Sequence, residues 1–339
     1  MMNSRLTVKD LSVEFDTDEG NVLAVDRMSF DVEAGEVLAL VGESGCGKSV
    51  TAMSVLRLLP PIASVTGSIT LEGTELNSLS MRQMQKIRGS DISMIFQEPM
   101  TSLNPSFTIG FQIIEVLRRH KSLSRGDAKK QAIELLDLVQ IPAPATRVSE
   151  YPHQLSGGMR QRVMIAMAVA CSPRVLIADE PTTALDVTTQ AQILEILRDL
   201  RERVGTSIVL ITHDLGVVAD IADRVEVMYA GHKVESAPVD ELFAHPQHPY
   251  TIGLMGAVPR PDLFVEGASR RLQEIPGRVP VLHGKPQECV FAPRCARATA
   301  ECWANMPPLE QVRPLHYAAC YHPGAQNMQS NPLADEVFT

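Results

Sequence analysis

A phosphate-binding loop is indicated by the eight residues Gly42-Glu43-Ser44-Gly45-Cys46-Gly47-Lys48-Ser49. They match G-x-x-x-x-G-K-[ST], between an apolar run typical of a buried strand and an apolar helical pattern. Glycines let the backbone N–H groups turn toward phosphate oxygens, and the helix N-terminus adds partial positive charge. Lys48 is expected to reach the β- and γ-phosphates, and the Ser49 hydroxyl to bind Mg²⁺. The alternative, a glycine turn that merely precedes a helix, is disfavoured by the strand before it.

Two carboxylates, Asp179 and Glu180, end another apolar run. Asp179 suits Mg²⁺ coordination and Glu180 suits activation of a water molecule. A helix N-cap or a solvated strand edge is the alternative, and the phosphate loop upstream argues against it. A further buried strand is predicted at Ser207 to Thr212, and His213 lies at its C-terminal end. A lone histidine is usually structural, but the carboxyl edge of a parallel sheet is where ligands bind.

A second anion-binding nest is predicted at Ser156-Gly157-Gly158, where two glycines begin a helix from Arg160 to Ala170. Alternating apolar residues predict antiparallel strands on both sides of the phosphate loop, the first over residues 6–15. Phe15 in that strand either stacks on a base or packs in the core. Residues 107–139 show a helical pattern that interrupts the α/β order, so an inserted helical subdomain is expected.

Composition narrows the class of protein. The chain has 339 residues, 45% hydrophobic and 21% charged, with a mean hydropathy of +0.01. These values predict folded protein with one large domain and a smaller one, or two domains. The net charge of −9 argues against a nucleic-acid-binding surface. The N-terminus lacks the apolar core of a signal peptide, and no apolar run is long enough to span a bilayer. We therefore expect a cytosolic protein whose six cysteines serve metal or redox chemistry.

In their order, these motifs resemble those of the ATP-binding subunits of ABC transporters, over residues 5 to about 235. Gln97 matches the family's Q-loop glutamine, Leu155 to Gly158 its signature sequence, and Asp186 its D-loop aspartate. Met159 departs from the commoner glutamine, and Cys46 replaces a common serine; neither is expected to matter. The resemblance implies a P-loop α/β ATPase with an antiparallel β-subdomain, a helical subdomain at about 98–172 and a small cysteine-containing C-terminal domain.

The resemblance also implies a mechanism in which two such subunits close head to tail around two ATP molecules. The implied catalytic residues are Glu180, His213 and Gln97. The implied Mg²⁺ ligands are Ser49, Gln97 and Asp179. The implied ATP-binding residues are Gly42, Ser44, Gly45, Cys46, Gly47, Lys48, Ser49, Phe15, Gln97, Asp179, Ser156, Gly157, Gly158 and Asp186.

The segment His245-Pro246-Gln247-His248-Pro249-Tyr250-Thr251 resembles the one after the ATPase core in dipeptide and oligopeptide importers. Nickel importers share this pattern. The implied partners are a related but different ATPase subunit, two polytopic permease subunits and an extracytoplasmic solute-binding protein, without nucleic acid. The chain would then lie on the cytoplasmic face of the inner membrane. The expected division is residues 1–238 for the ATPase domain, 239–325 for the C-terminal domain and 326–339 for a flexible tail.

Four cysteines fall in that C-terminal domain: Cys289, Cys295, Cys302 and Cys320. Their spacing, C-x5-C-x6-C-x17-C, fits no common zinc ribbon. The surrounding sequence is rich in proline, with Trp303 as its only expected large anchor, so a cross-link should be needed for folding. In peptide importers the tail resembles a domain that holds a [4Fe–4S] cluster. Structural zinc is the second interpretation and free thiols the third.

Rival classes are a soluble ABC-type ATPase that acts on DNA or ribosomes, and a redox-sensing regulator built around the cysteines. Proteins of the first class usually carry tandem ATPase cassettes or a long coiled coil. The sequence has one phosphate loop and no sustained heptads, which favours the transporter interpretation.

Overall fold

A computed structural model of the chain describes residues 4–18, 20–97, 102–183, 185–257 and 275–324. Two sheets organise the described residues. Their strands are β1 (Ser4–Thr17), β2 (Gly20–Glu33), β3 (Val37–Val41), β4 (Ala63–Leu71), β5 (Thr74–Glu75), β6 (Ile92–Ile95), β7 (Val175–Asp179), β8 (Ser207–Thr212), β9 (Arg224–Tyr229), β10 (His232–Pro238), β11 (Glu310–Arg313) and β12 (His316–Ala318).

The smaller sheet is antiparallel, in the order β2-β1-β4-β5. Its first strand alternates as predicted, because Leu6, Val8, Leu11 and Val13 are buried beneath it while the residues between them are more exposed. This sheet packs with the apolar faces of β3 and β7 into one of two hydrophobic clusters.

The larger sheet has the order β11-β12-β10-β9-β3-β8-β7-β6. Its five strands β9, β3, β8, β7 and β6 are parallel to one another. All five residues of β3 and all six of β8 are buried, which explains the apolar runs Val37–Val41 in β3 and Ile208–Ile211 in β8. The carboxyl ends of these parallel strands meet at one edge of the sheet, where the candidate site lies.

The helices are α1 (Lys48–Val55), α2 (Met81–Ile87), α3 (Ile109–Lys121), α4 (Arg125–Leu138), α5 (Pro144–Arg147), α6 (Gly157–Val169), α7 (Val187–Val204), α8 (Leu215–Ile221), α9 (Val239–Ala244), α10 (Pro249–Gly256) and α11 (Ala300–Ala304). The predicted helical block corresponds to α3–α6, which bury the predicted faces of α3 and α4. Residues 98–101 at its start lie outside the described residues, and its limits stay a prediction. In the described part of the chain, no helix is both long enough and apolar enough to cross a membrane.

The C-terminal region, residues 239–257 and 275–324, adds to the larger sheet. Strand β12 pairs with β10 along its edge, and β11 pairs with β12. His316 and Glu235 form a fully buried pair across this junction, with His316 Nε2 and Glu235 Oε1 2.7 Å apart. The predicted domain limits at 238/239 stay a prediction, and the predicted tail at 326–339 lies outside the described residues.

One expectation about this region is wrong. Trp303 is not its anchor, since 49% of that residue is exposed. Phe291 has that place: it is buried and packs against the rings of Tyr229 and Tyr250, with centroids 5.1 and 5.5 Å away. The sequence could not predict the role of Phe291, because a single buried aromatic side chain in a proline-rich segment produces no periodic pattern.

Candidate functional site

The phosphate loop joins β3 to α1, as predicted. Its backbone requires glycine at two positions. At Gly42 (φ +154°) a Cβ atom would lie 2.2 Å from the Met228 carbonyl oxygen, and at Gly47 (φ +100°) it would lie 2.5 Å from the Ala24 carbonyl oxygen. The loop is therefore seated tightly on neighbouring strands, while Ser44 and Gly45 are exposed at its tip. Gly47 is also the N-cap residue of α1, so the helix N-terminus opens at this loop.

Lys48 is buried, and its ammonium group folds over the loop. Its Nζ donates to the carbonyl oxygens of Gly42 (2.7 Å) and Glu43 (2.9 Å). The Cys46 thiol is fully buried 3.6 Å from the same Nζ, and burial raises its pKa. Cys46 is thus a neutral packing group, as expected for a substituted serine at this position.

Asp179 ends β7, with only 4% of the residue exposed. Burial raises the pKa of its carboxyl group, and the adjacent Ser49 and Lys48 offset part of that rise. Its Oδ1 atom is buried without a hydrogen-bond partner. An unpaired buried carboxylate oxygen beside a serine hydroxyl is a donor set that a hard cation such as Mg²⁺ would satisfy.

Glu180 has the strained backbone often found at functional sites, with φ +48°. Three side chains contact its carboxylate. The Gln97 amide donates to Oε2 (3.0 Å), and the Thr183 hydroxyl donates to the same oxygen (2.8 Å). His213 Nδ1 lies 3.3 Å from Oε1, with 60% of the histidine side chain exposed. The three predicted catalytic residues Glu180, Gln97 and His213 therefore lie together at the carboxyl edge of the parallel strands.

The predicted signature residues lie elsewhere. Ser156 is the N-cap residue of α6, and its hydroxyl accepts from Met159 N (3.3 Å). Gly158 faces α7, since a Cβ there would lie 2.9 Å from a Thr189 methyl carbon. Asp186 caps α7 and accepts from Thr189 N (3.0 Å). Within the described residues, no hydrogen bond or ion pair joins Ser156, Gly157, Gly158 or Asp186 to the phosphate loop of the same chain.

Phe15 is partly buried against the apolar cluster of the smaller sheet. Its strand neighbours are Val22 and Ala63. This placement agrees with the packing interpretation, and base stacking stays a prediction.

Three residues at or beside the site were missed by the sequence reasoning. The Thr183 hydroxyl donates to Glu180. Its place three residues after Glu180 was the sequence signal that could have predicted this contact. Glu43 is a variable position of the loop motif, yet it contacts the C-terminal region through Arg294. Arg294 stands next to Cys295, and no local sequence pattern links it to the phosphate loop.

The four cysteines of the C-terminal region are neighbours, free of disulfides and buried to more than half of their surface. Burial raises the pKa of Cys289 and Cys295, and that of Cys320 to about 11. Cys289 N donates to the Cys302 carbonyl oxygen (2.9 Å), which ties two of the cysteines together. In the described residues, however, no group of three or more His, Cys, Asp or Glu side chains is placed to hold a metal ion. The predicted ligand geometry is therefore absent from these residues.

Comparisons with known proteins identify two matching families. Residues 25–183 match the family described as "ABC transporter". Residues 234–302 match the family described as "Oligopeptide/dipeptide transporter, C-terminal region". The second match covers Tyr250, Arg294 and three of the four cysteines.

Curated relatives match along nearly the whole chain. The probable peptide ABC transporter ATP-binding protein y4tR of Sinorhizobium fredii is 53% identical over 93% of this chain and 94% of its own. The oligopeptide transport ATP-binding protein OppD of Bacillus subtilis is 50% identical over 96% and 91%. The dipeptide transport ATP-binding protein DppD of Bacillus subtilis is 54% identical over 89% of each chain.

A solved structure supports the fold. The dimeric ATP-binding cassette MJ0796, in a post-hydrolysis state bound to ADP and phosphate, is 28% identical with a TM-score of 0.63. The match covers 69% of this chain and 98% of that one. It confirms the predicted fold class. The chain therefore belongs to the ATP-binding proteins of ABC transporters, in their oligopeptide and dipeptide branch, and is an ABC-type ATPase.

Proposed function

We propose that this ATPase powers the import of dipeptides or oligopeptides across a bacterial inner membrane. The observation that carries the solute class is the match of residues 234–302 to the C-terminal region of oligopeptide and dipeptide transporters. The partners would be two polytopic permease subunits, an extracytoplasmic solute-binding protein and a second, related ATPase chain. The protein would then lie on the cytoplasmic face of the membrane, bound through the permeases.

Hydrolysis follows from the groups around Glu180. Its carboxylate orients a water molecule and takes a proton from it as the water oxygen attacks the γ-phosphorus. The bond to the bridging oxygen breaks, and ADP and inorganic phosphate leave. His213 and Lys48 stabilise the charge on the transferred phosphoryl group. Gln97 donates to Glu180 and so holds the carboxylate in place before the water is bound.

Ser49 and Asp179 would hold Mg²⁺, and the buried unpaired Oδ1 of Asp179 supports that role. The ion, when bound, would neutralise charge on the β- and γ-phosphates. Gln97 is the third proposed ligand. Its amide nitrogen is bonded to Glu180, so its amide oxygen is the atom available for a cation.

Each ATP would lie between two chains. Ser156, Gly157 and Gly158 begin a helix, and within the described residues no hydrogen bond or ion pair joins these three to the chain's own phosphate loop. An anion-binding helix N-terminus away from the loop suits the γ-phosphate held by a second subunit. Asp186 lies beside this nest through Thr189 and would belong to the same interface.

The test is purification of the tagged chain from membranes in mild detergent, with uptake of labelled di- and tripeptides by cells. Co-purification of polytopic permeases, and peptide uptake lost in Glu180→Gln cells, is the expected result. Peptide uptake that persists while Ni²⁺ uptake fails would favour the alternative solute class. Co-purification with DNA or ribosomes and no membrane protein would contradict a transport role.

A second proposal concerns the cysteines. Cys289, Cys295, Cys302 and Cys320 would bind one [4Fe–4S] cluster, with structural zinc as the alternative. Support comes from four neighbouring free thiols and from backbone N–H groups directed at sulfur, such as His322 N, 3.3 Å from Cys320 Sγ. Cys46 and Cys171 would take no part, since they lie in the loop and after α6.

Anaerobic purification tests this proposal. Protein with about four irons per chain and a brown colour is expected. Cys302→Ser should lose both, whereas Cys171→Ser, a matched change outside the group, should keep them. Zinc without iron would overturn the cluster, and protein with neither metal would overturn both versions.

A further inference from the structure

Glu43, at a variable position of the phosphate loop, is held by the C-terminal region on two sides. The Arg294 guanidinium makes a two-point contact with its carboxylate, from Nη1 to Oε2 (2.6 Å) and from Nη2 to Oε1 (3.0 Å). The backbone N–H of Glu43 donates to the Tyr250 hydroxyl (2.7 Å). A paired guanidinium–carboxylate contact fixes direction as well as distance, so Glu43 has little freedom to rotate.

The third polar group of Glu43 faces the nucleotide side. Its carbonyl oxygen accepts from Lys48 Nζ at 2.9 Å. One residue therefore joins Arg294 to the lysine that reaches the phosphates. The path runs through two direct hydrogen-bonded contacts, and it spans 251 residues of sequence between Glu43 and Arg294.

Arg294 is fixed in this position by burial and by several hydrogen bonds. Only 5% of its side chain is exposed, and Glu43 supplies the carboxylate that balances its charge. Its remaining donors reach the carbonyl oxygens of Pro276 (2.7 Å) and Ile275 (3.1 Å), and its guanidinium carbon lies 5.6 Å from the Tyr229 ring centroid. A buried cation with its hydrogen bonds satisfied moves little, because leaving the site would break several of them together.

We propose that Arg294 is a positioning residue for the phosphate loop, acting through Glu43 with the help of Tyr250. The C-terminal region is then part of the nucleotide site, and it sets the affinity for ATP. The inference rests on ATP binding by this family and not on which solute is carried or which metal the cysteines hold.

The experiment is a double-mutant cycle on the full chain, with binding of a fluorescent ATP analogue measured in the presence of Mg²⁺. Arg294→Gln and Glu43→Gln should each weaken binding about tenfold, a usual coupling for groups in contact. The double variant should be no weaker than either single variant by more than about twofold. In the assembled transporter, KM for ATP should rise while kcat at saturating ATP stays within about twofold, since ground-state and transition-state binding are lost together.

Arg313→Gln is the matched control, because it breaks an ion pair within the same region, between Arg313 and Glu241, and leaves the contacts of Glu43 in place. It should leave ATP affinity unchanged. Equal weakening in this variant would assign the effect to general loosening and overturn the proposal. So would an Arg294→Gln effect that persists in the Glu43→Gln background.

Two variants keep the test decisive if Arg294→Gln does not fold. Glu43→Gln and Tyr250→Phe leave Arg294 in place and remove one bond each, and both should weaken ATP binding. Unchanged affinity in both variants, with thermal unfolding like that of the parent chain, would also overturn the proposal.

Discussion

The nucleotide site and the C-terminal region are built in different ways. Lys48, Gln97, Glu180 and His213 each follow one of the parallel strands of the larger sheet, and regular backbone geometry brings them together. The C-terminal region has helices of at most eight residues and strands of three and four residues. Its contacts with the ATPase fold include the pairing of β12 with β10, the packing of the Phe291 ring, and ion pairs to residues distant in sequence. Regular strands therefore position the residues of the nucleotide site, whereas single side-chain contacts hold the C-terminal region that supports it.

The largest expected effect tests the first half of this contrast. Glu180→Gln keeps the size of the side chain but removes the base, so turnover should fall about a thousandfold while ATP stays bound. Phosphate release by the assembled transporter measures the first quantity, and nucleotide retention the second. Lys48→Ala is the comparison variant, which should instead weaken binding. A Glu180→Gln enzyme with near wild-type turnover would show that another group is the base.

The second prediction tests which aromatic side chain anchors the C-terminal region. Phe291→Ala removes a buried ring from the Tyr229–Tyr250 cluster and should lower the free energy of unfolding by about 3–5 kcal/mol. Trp303→Ala, at a half-exposed site, should cost within about 1 kcal/mol. Urea denaturation measures both. The reverse order would restore the anchor role first assigned to Trp303.

The third prediction concerns the other flank of the phosphate loop, which lies within the ATPase fold. Asp26 and His232 are buried with Oδ2 and Nε2 3.3 Å apart, and Asp26 N donates to Gly231, which in turn donates to the Cys46 carbonyl oxygen. The His232 imidazole lowers the pKa of Asp26 from 3.8 to about 2. A lowered carboxyl pKa stabilises the fold above about pH 4, and this contribution is lost as the pH falls through 2.

Asp26→Asn should therefore cost about 2 kcal/mol at pH 7, and the difference from the parent chain should shrink between pH 4 and pH 2. Denaturation midpoints at pH 7, 5 and 3 give the comparison. A difference that is constant with pH would mean that the pair contributes by shape and not by charge.

The smallest expected effect is that of Arg313→Gln. Its pair with Glu241 is partly exposed, so water and salt screen it, and the change should lower the free energy of unfolding by less than about 1 kcal/mol. Thermal unfolding at low and high salt measures it. A loss as large as that expected for Phe291→Ala would mean that ion pairs stabilise the C-terminal region as strongly as its buried ring does.

These differences explain what the sequence could predict. The buried strands before Gly42, Glu180 and His213 could be predicted because runs of four or five consecutive apolar residues have few other structural meanings. The resemblance to the ABC transporter family then gave each motif an expected role. Arg294 was beyond prediction because its partner, Glu43, lies 251 residues away and no local pattern relates them. The same holds for the pairing of β12 with β10, since three-residue strands carry almost no periodic signal.

Strand β12 and the Arg294 contact also set an order of events during synthesis. The phosphate loop leaves the ribosome early, whereas Arg294 is made 251 residues later. At about 5–20 residues per second, that interval is roughly 10–50 s. Throughout it, the phosphate loop lacks its distal support, and from the synthesis of β10 until that of β12 the sheet edge at β10 is uncovered. Completion of the chain is therefore the step that closes this edge and finishes the nucleotide site, so truncated products would be released with the site unfinished.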